Sequence, residues 1–92
     1  MAEPVLTRTV GSIDIRRTGD GLETQWELIG PSGTFAFIAG EDGTLPLTTA
    51  GFDQAGVPAG ERDAIIDGVW KFTPAAVRRL SVDGNVVRKH GA

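Results

Sequence analysis

Cysteine is absent from this sequence, histidine occurs once, at position 90, and no long apolar run interrupts the chain. Each of these shortages removes a class of protein. Without cysteine there are neither disulfides nor thiolate ligands, so packing has to supply the stability or self-association has to add to it. With a single imidazole, a zinc site would draw most of its four ligands from carboxylates, and no metal or cofactor is expected. A Ser-His-Asp triad is equally hard to assemble, because Ser12, Ser32 and Ser81 lie outside any nucleophile-elbow context. No stretch approaches the roughly 20 apolar residues of a membrane span. The opening MAEPVLTRTV lacks the basic segment and the roughly 7- to 15-residue apolar stretch of a secretory signal. A soluble, cytoplasmic protein without a membrane partner is the expectation.

What is present suits one small domain. The 92 residues are 40% hydrophobic and 23% charged, an ordinary globular balance, and they supply apolar material for one core spanning 1–92. The net charge of −3 argues against binding phosphate backbones, where affinity comes from lysine and arginine displacing counterions. Its distribution says more. Residues 1–75 carry five Lys/Arg against eleven Asp/Glu, a net of −6, whereas residues 76–92 carry four cations against one anion, a net of +3. The chain reads as an acidic body with a basic end.

Thirteen glycines and five prolines cut the sequence into short segments, and Asp-Gly recurs at 20, 42, 67 and 83 without any matching repeat around it. Both residues tolerate the positive φ of tight turns, which predicts a meander of short strands. Segment 5–17, with Ile13 and Ile15 on one side, and segment 22–28, with Leu22, Thr24, Trp26 and Leu28 alternating against polar residues, read as half-buried strands. Their join permits two registers: a turn on Asp20-Gly21, setting Asp14 opposite Glu27, or one on Gly19-Asp20, setting Arg16 opposite Glu23. An odd slip is excluded because it would place Ile15 opposite Gln25. A turn at Pro31-Ser32 then brings TFAFIAG back as a third strand, with Phe35 beside Leu28 and Phe37 beside Trp26.

Residues 40–60 show no sustained period and read as a long loop with a short strand at 44–47, anchored to the core by Phe52. From there the spacing of Ile65, Ile66, Val69, Trp70 and Phe72 predicts a helix over about 60–70, with Glu61 and Asp63 at its amino end. Gly68 weakens that reading, and AII, Asp-Gly, VWK is a hairpin alternative. Thr73-Pro74 suits the start of a short helix. RRLSV and NVV around Asp83-Gly84 predict a terminal hairpin. The expected fold class is therefore α+β: three N-terminal strands in an antiparallel meander, a C-terminal hairpin, and one helix packed on a sheet face.

Chemistry-bearing motifs are scarce. His90 sits where chains commonly fray and reads as a solvated tail residue. Asp63 and Asp67 share a helical face, which would suit a carboxylate acid and base but reads first as a solvent-facing acidic stripe. GFDQAGVPAGERD precedes the helix yet lacks the Gly-Lys-Ser/Thr of a phosphate loop, and GDG at 19–21 is followed by Thr24 where a dinucleotide fingerprint needs glycine.

The terminal hairpin is the most informative stretch. A regular ladder around Asp83-Gly84 would set Leu80 opposite Val87, Arg79 opposite Arg88 and Arg78 opposite Lys89, and like charges across a strand pair repel. Carboxylates of the chain itself, such as Glu23, Glu27, Asp63 or Asp67, could relieve this. Otherwise Arg78, Arg79, Arg88 and Lys89 form an exposed surface for the acidic face of another protein. Nucleic acid is a poorer fit, because no aromatic is interleaved for base stacking. A binding protein of this kind, acting as inhibitor, adaptor or accessory subunit, is the leading expectation. The alternative is a small-molecule binder with Trp26, Phe37 and Phe52 lining a pocket under the 40–60 loop.

Overall fold

A computed structural model describes residues 5–19 and 24–90. It is an α+β structure with seven strands in two sheets and two α-helices. The first sheet is a four-stranded antiparallel meander of β1 (Val5–Val10), β2 (Ile13–Thr18), β3 (Gln25–Gly30) and β4 (Gly33–Ile38). β5 (Thr44–Leu47), β6 (Arg79–Val82) and β7 (Asn85–Lys89) make the second sheet, in that order. Between β5 and β6 run α1 (Thr49–Ala55), a 3-10 turn at Ala59–Glu61, and α2 (Arg62–Lys71).

The expected single strand over 5–17 is a hairpin. Gly11 takes φ 60 in a two-residue turn with Ser12, so Val10 faces Ile13 and Arg8 faces Ile15. A non-glycine residue would occupy that backbone at a cost. The β2–β3 register is neither of those expected: Ile15 lies opposite Leu28 and Arg16 opposite Glu27, with the two charges 3.8 Å apart. The pairing has moved by an even step, keeping every apolar side chain on its face, because the connection is longer than a two-residue turn. The Asp20-Gly21 turn, Leu22 and Glu23 lie outside the described residues. The β3–β4 pairing is as expected, with Trp26 opposite Phe37 and Leu28 opposite Phe35.

The expected loop at 40–60 contains the 44–47 strand but also α1. Thr48 caps this helix, its hydroxyl accepting from the Gly51 N–H at 2.9 Å, and Gly56 ends it at φ 79. Two glycines so close in sequence hide the helix from a periodicity reading. Gly51 is required by packing: a Cβ there would lie 2.5 Å from Phe35 ring carbons. Helix α2 is as expected, and the Asp67-Gly68 hairpin alternative is excluded. Gly68 is buried where α2 crosses β1 and β2, and a Cβ there would meet Val10 at 3.0 Å and Ile15 at 3.1 Å. Its cost of about 1 kcal/mol in helix propensity is thus exchanged for close helix–sheet approach. Thr73-Pro74 starts no further helix; the Thr73 hydroxyl donates to the Trp70 carbonyl at 2.8 Å and a single turn at 75–76 follows.

Connectivity differs as well. β5 and β6 pair in parallel, Leu45 with Leu80 and Leu47 with Val82, so the terminal hairpin is joined to the middle of the chain. Parallel neighbours need a crossover, and α1 with α2 supplies it. Both helices lie on one face of the four-stranded sheet, α1 against β3 and β4 and α2 against β1 and β2. The enclosed core is one cluster, running from Ile13, Ile15, Trp26 and Leu28 through Phe52, Ile65 and Val69 to Leu45, Leu47, Val77 and Leu80. None of the helices in the described residues is long and apolar enough to cross a membrane.

Candidate functional site

The C-terminal hairpin turns on Asp83-Gly84 with φ of 52 and 86, both in the left-handed region as a tight two-residue hairpin requires. The Asp83 carboxylate has a second task. It accepts from the backbone N–H of Thr49 at 2.9 Å and from its hydroxyl at 2.5 Å, fastening the turn to the amino end of α1. These bonds from the Thr49 hydroxyl and N–H hold the Asp83 carboxyl below its ordinary value of 3.8, with a smaller contribution from the Arg62 charge. At the other end of β6, Asp42 is held below 3.8 by the backbone and hydroxyl bonds of Thr44, and further by Arg79.

A pH dependence follows. Carboxyls with a depressed folded pKa stabilise the fold fully above the unfolded value of 3.8, and that contribution is lost as pH falls through the folded pKa. Acid titration monitored by circular dichroism is expected to show stability falling below pH 3.8, with a shallower fall in Asp83→Asn. An identical acid limb in wild type and Asp83→Asn would show that the Thr49 contacts contribute nothing.

Beyond the turn, the expected ladder holds only for Val82 with Asn85 and Ser81 with Val86. A bulge then makes Val87 an extra residue, so Leu80 faces Arg88 and Arg79 faces Lys89. The Arg79–Arg88 opposition is absent, and the His90 N–H bonds to the Arg78 carbonyl at 3.1 Å where Lys89 was expected opposite. Extra residues of this kind bend the strand and re-aim its side chains. Here two consecutive valines, Val86 and Val87, are exposed at 51% and 37%.

The four expected binding residues divide three to one. Arg79 is engaged internally: its guanidinium donates to the Asp42 carbonyl at 2.8 Å and the Thr44 hydroxyl at 3.2 Å, with the Asp42 carboxylate 3.8 Å away. Arg78 is exposed ahead of β6, Lys89 is exposed on β7, and Arg88 donates only to the neighbouring Val87 carbonyl at 2.9 Å. Among the described residues none of these three forms an ion pair. Of the carboxylates suggested as internal relief, Glu27 lies beside Arg16 and Asp67 is on Lys71 at 2.9 Å, Asp63 forms no ion pair among the described residues, and Glu23 lies outside them. His90 is no loose tail residue; its ring lies 4.4 Å from that of Trp70 and pins the end of the hairpin to α2.

No family model matches the chain, and no curated protein or solved structure is detectably similar to it. The functional reading therefore rests on its own geometry.

Trp26, Phe37 and Phe52, the alternative pocket residues, are core side chains. Trp26 stacks on Phe37 with centroids 6.0 Å apart, and both Trp26 and Phe52 are 1% exposed. A depression of about 370 Å³ reaches Trp26 and Phe37 from among Thr18, Gln25, Glu27, Ala36 and Ile38, but Phe52 on α1 takes no part in it. Sequence reasoning missed Arg17, which lies opposite Trp26 on the inner face, donates to the Phe72 carbonyl at 2.6 Å and stands 5.1 Å from its ring centroid. The signal was available, since Arg17 is in step with Ile13 and Ile15. Among the described residues no group of three or more metal-ligating side chains converges.

Proposed function

We propose that this chain is a non-catalytic binding protein, an inhibitor, adaptor or accessory subunit, that docks the acidic surface of another protein on its C-terminal hairpin. The observation carrying this reading is that Arg78, Arg88 and Lys89 lack carboxylate partners among the described residues, and that Arg88 and Lys89 directly follow the exposed Val86 and Val87 on β7. Cations rimming an apolar patch combine steering with desolvated contact, and guanidinium groups favour bidentate contact with carboxylates. Arg79 belongs to the fold and not to the docking surface, because Asp42 and Thr44 already occupy its donors.

The test is capture of a partner from native lysate by wild type, Arg88→Glu with Lys89→Glu, and Arg79→Gln. Capture is expected to vanish in the double reversal and to survive in Arg79→Gln, with circular dichroism of both variants unchanged. It should also weaken steeply with added salt, since exposed charges are screened over about 8–10 Å. Equal capture by the double reversal would end the proposal. Trp70 offers a second readout: in a Trp26→Phe background it is the only indole, and its contact with His90 makes its emission responsive to hairpin occupancy.

A further inference from the structure

Three of the four outer strands carry a feature that discourages further pairing. β5 contains Pro46, which has no N–H to offer. β7 has the bulge at Val87 and ends in Arg88 and Lys89. The edge of β4 is overlain by α1, with Gln54 donating to the Thr34 carbonyl at 2.7 Å and the Ser32 N–H reaching the Ala55 carbonyl at 3.3 Å. Among the described residues β1 has neither a proline nor a bulge, and its one charge is Arg8. It pairs with β2 in unbroken register over six residues, contains neither proline nor lysine, and exposes Val5 at 50% and Leu6 at 41%. Open strand edges invite unwanted pairing and are normally blunted, so an unprotected one is consistent with use.

Beside this edge runs a groove of about 390 Å³ between β1 and α2, lined by Arg8 and Val10 on one side and Ala64, Asp67, Gly68 and Lys71 on the other; Asp67 pairs with Lys71 at 2.9 Å, which leaves Arg8 as the groove's unpaired charge among the described residues. An edge strand facing a helix across a groove is the arrangement in which an extended peptide adds as a strand, its backbone supplying affinity and its alternate side chains specificity.

Charge selects the occupant. Arg8 forms no ion pair among the described residues, and its guanidinium stands 5.8 Å from the Phe72 ring centroid, on the same ring as Arg17. A second copy of this chain fits poorly in the two registers centred on the middle of β1. Antiparallel pairing of two β1 strands with their outer faces on one side needs partners of like parity. Centring on Thr7 gathers Arg8 and Arg17 of both copies at the axis, and centring on Arg8 sets that residue against itself.

The geometry points to β1 and its groove as a strand-addition site for an extended acidic segment of another protein, with carboxylates on the groove side alternating with β-branched residues on the outer side. The site shares no residue with the basic hairpin and is independent of it.

The test is nuclear magnetic resonance titration of the isotope-labelled full chain with a hexapeptide alternating valine and glutamate. Shifts and slowed hydrogen exchange are expected in the Val5–Val10 amides. Arg8→Glu should weaken binding about tenfold or more and Arg8→Lys much less. Of two peptides N-methylated on complementary alternating amides, one should keep and the other lose its affinity. Absence of binding at millimolar glutamate peptide, equal binding by a lysine-for-glutamate peptide, or unchanged binding by both methylated forms would each overturn the proposal. So would a dimer by light scattering with β1 amides protected before any peptide is added, which would assign the edge to a second copy. Arg88→Glu with Lys89→Glu leaves this titration unchanged, so the two surfaces stand or fall separately.

Discussion

Trp26→Ala is expected to destabilise the protein by about 3–5 kcal/mol, the range for emptying a fully buried large aromatic site. Trp26 is 1% exposed and joins three parts of the fold. It stacks on Phe37 across the β3–β4 pair at 6.0 Å, meets Phe72 edge-on at 6.1 Å beyond the end of α2, and lies opposite Arg17 on β2. Removing the indole leaves a cavity whose walls are two sheet strands and a helix terminus, none able to move in alone. Domains of this size are stable by roughly 5–15 kcal/mol, so the loss would be a large share of the total. Trp26→Phe should cost much less, because the indole Nε1 has no acceptor among the described residues and its removal forfeits no hydrogen bond. Urea midpoints of the two variants read this directly. A loss under about 1 kcal/mol in Trp26→Ala would mean that the aromatic cluster is not the packed core described.

Gly30→Ala should be nearly as damaging for the opposite reason. A Cβ at Gly30 would collide with the carbonyl oxygen of Ala55 and come within 2.6 Å of the Ile13 Cδ1. Ile13 could rotate, but the Ala55 carbonyl is backbone at the end of α1, and it also accepts from the Ser32 N–H. The helix end would have to lift from β3, at a cost of about 1–3 kcal/mol or more. Gly60→Ala is the contrast. Nothing lies within 4 Å of a Cβ there, and φ is not in the left-handed region. Restricting the unfolded chain should then stabilise by about 0.4–1 kcal/mol. Thermal melts that ranked the two substitutions equally would show that close approach at Gly30 is not what fixes α1 on the sheet.

The same dipeptide shows how local sequence and tertiary context divide the work. Asp83-Gly84 behaves as its chemistry suggests and makes a hairpin turn. Asp67-Gly68 lies inside α2, because the apolar spacing of Ile65, Ile66 and Val69 outweighs one glycine once that glycine lets the helix sit on Val10 and Ile15. Asp42-Gly43 shapes the turn into β5, where Asp42 bonds Thr44 and holds Arg79. Turn propensity is a local quantity of about a kcal/mol, comparable to one packing contact, so packing can reverse it.

Of the candidate site, the hairpin, its turn and its cluster of cations were legible from residue order alone. Which cations remain available was not. Arg79 is engaged by Asp42, thirty-seven positions earlier, through a parallel pairing of β5 with β6 that no local pattern announces. The open edge of β1 was likewise hidden, because Gly11-Ser12 divides what reads as one strand.

Residue order by itself determined the α+β class, the alternation that keeps Ile13, Ile15, Trp26 and Leu28 on one face, the Trp26–Phe37 pairing, the α2 helix and the basic character of the C-terminal end. These follow from periods and turn chemistry within a few residues. Only the tertiary structure decided the β2–β3 register, the α1 helix built around a glycine that Phe35 covers, the bulge at Val87, and the identity of the free cations. The α1 helix and the free cations depend on contacts between segments far apart in the chain, and the register and the bulge on how neighbouring strands settle against the rest of the fold; in each, close packing and charge pairing outweigh local preference by a few kcal/mol at most.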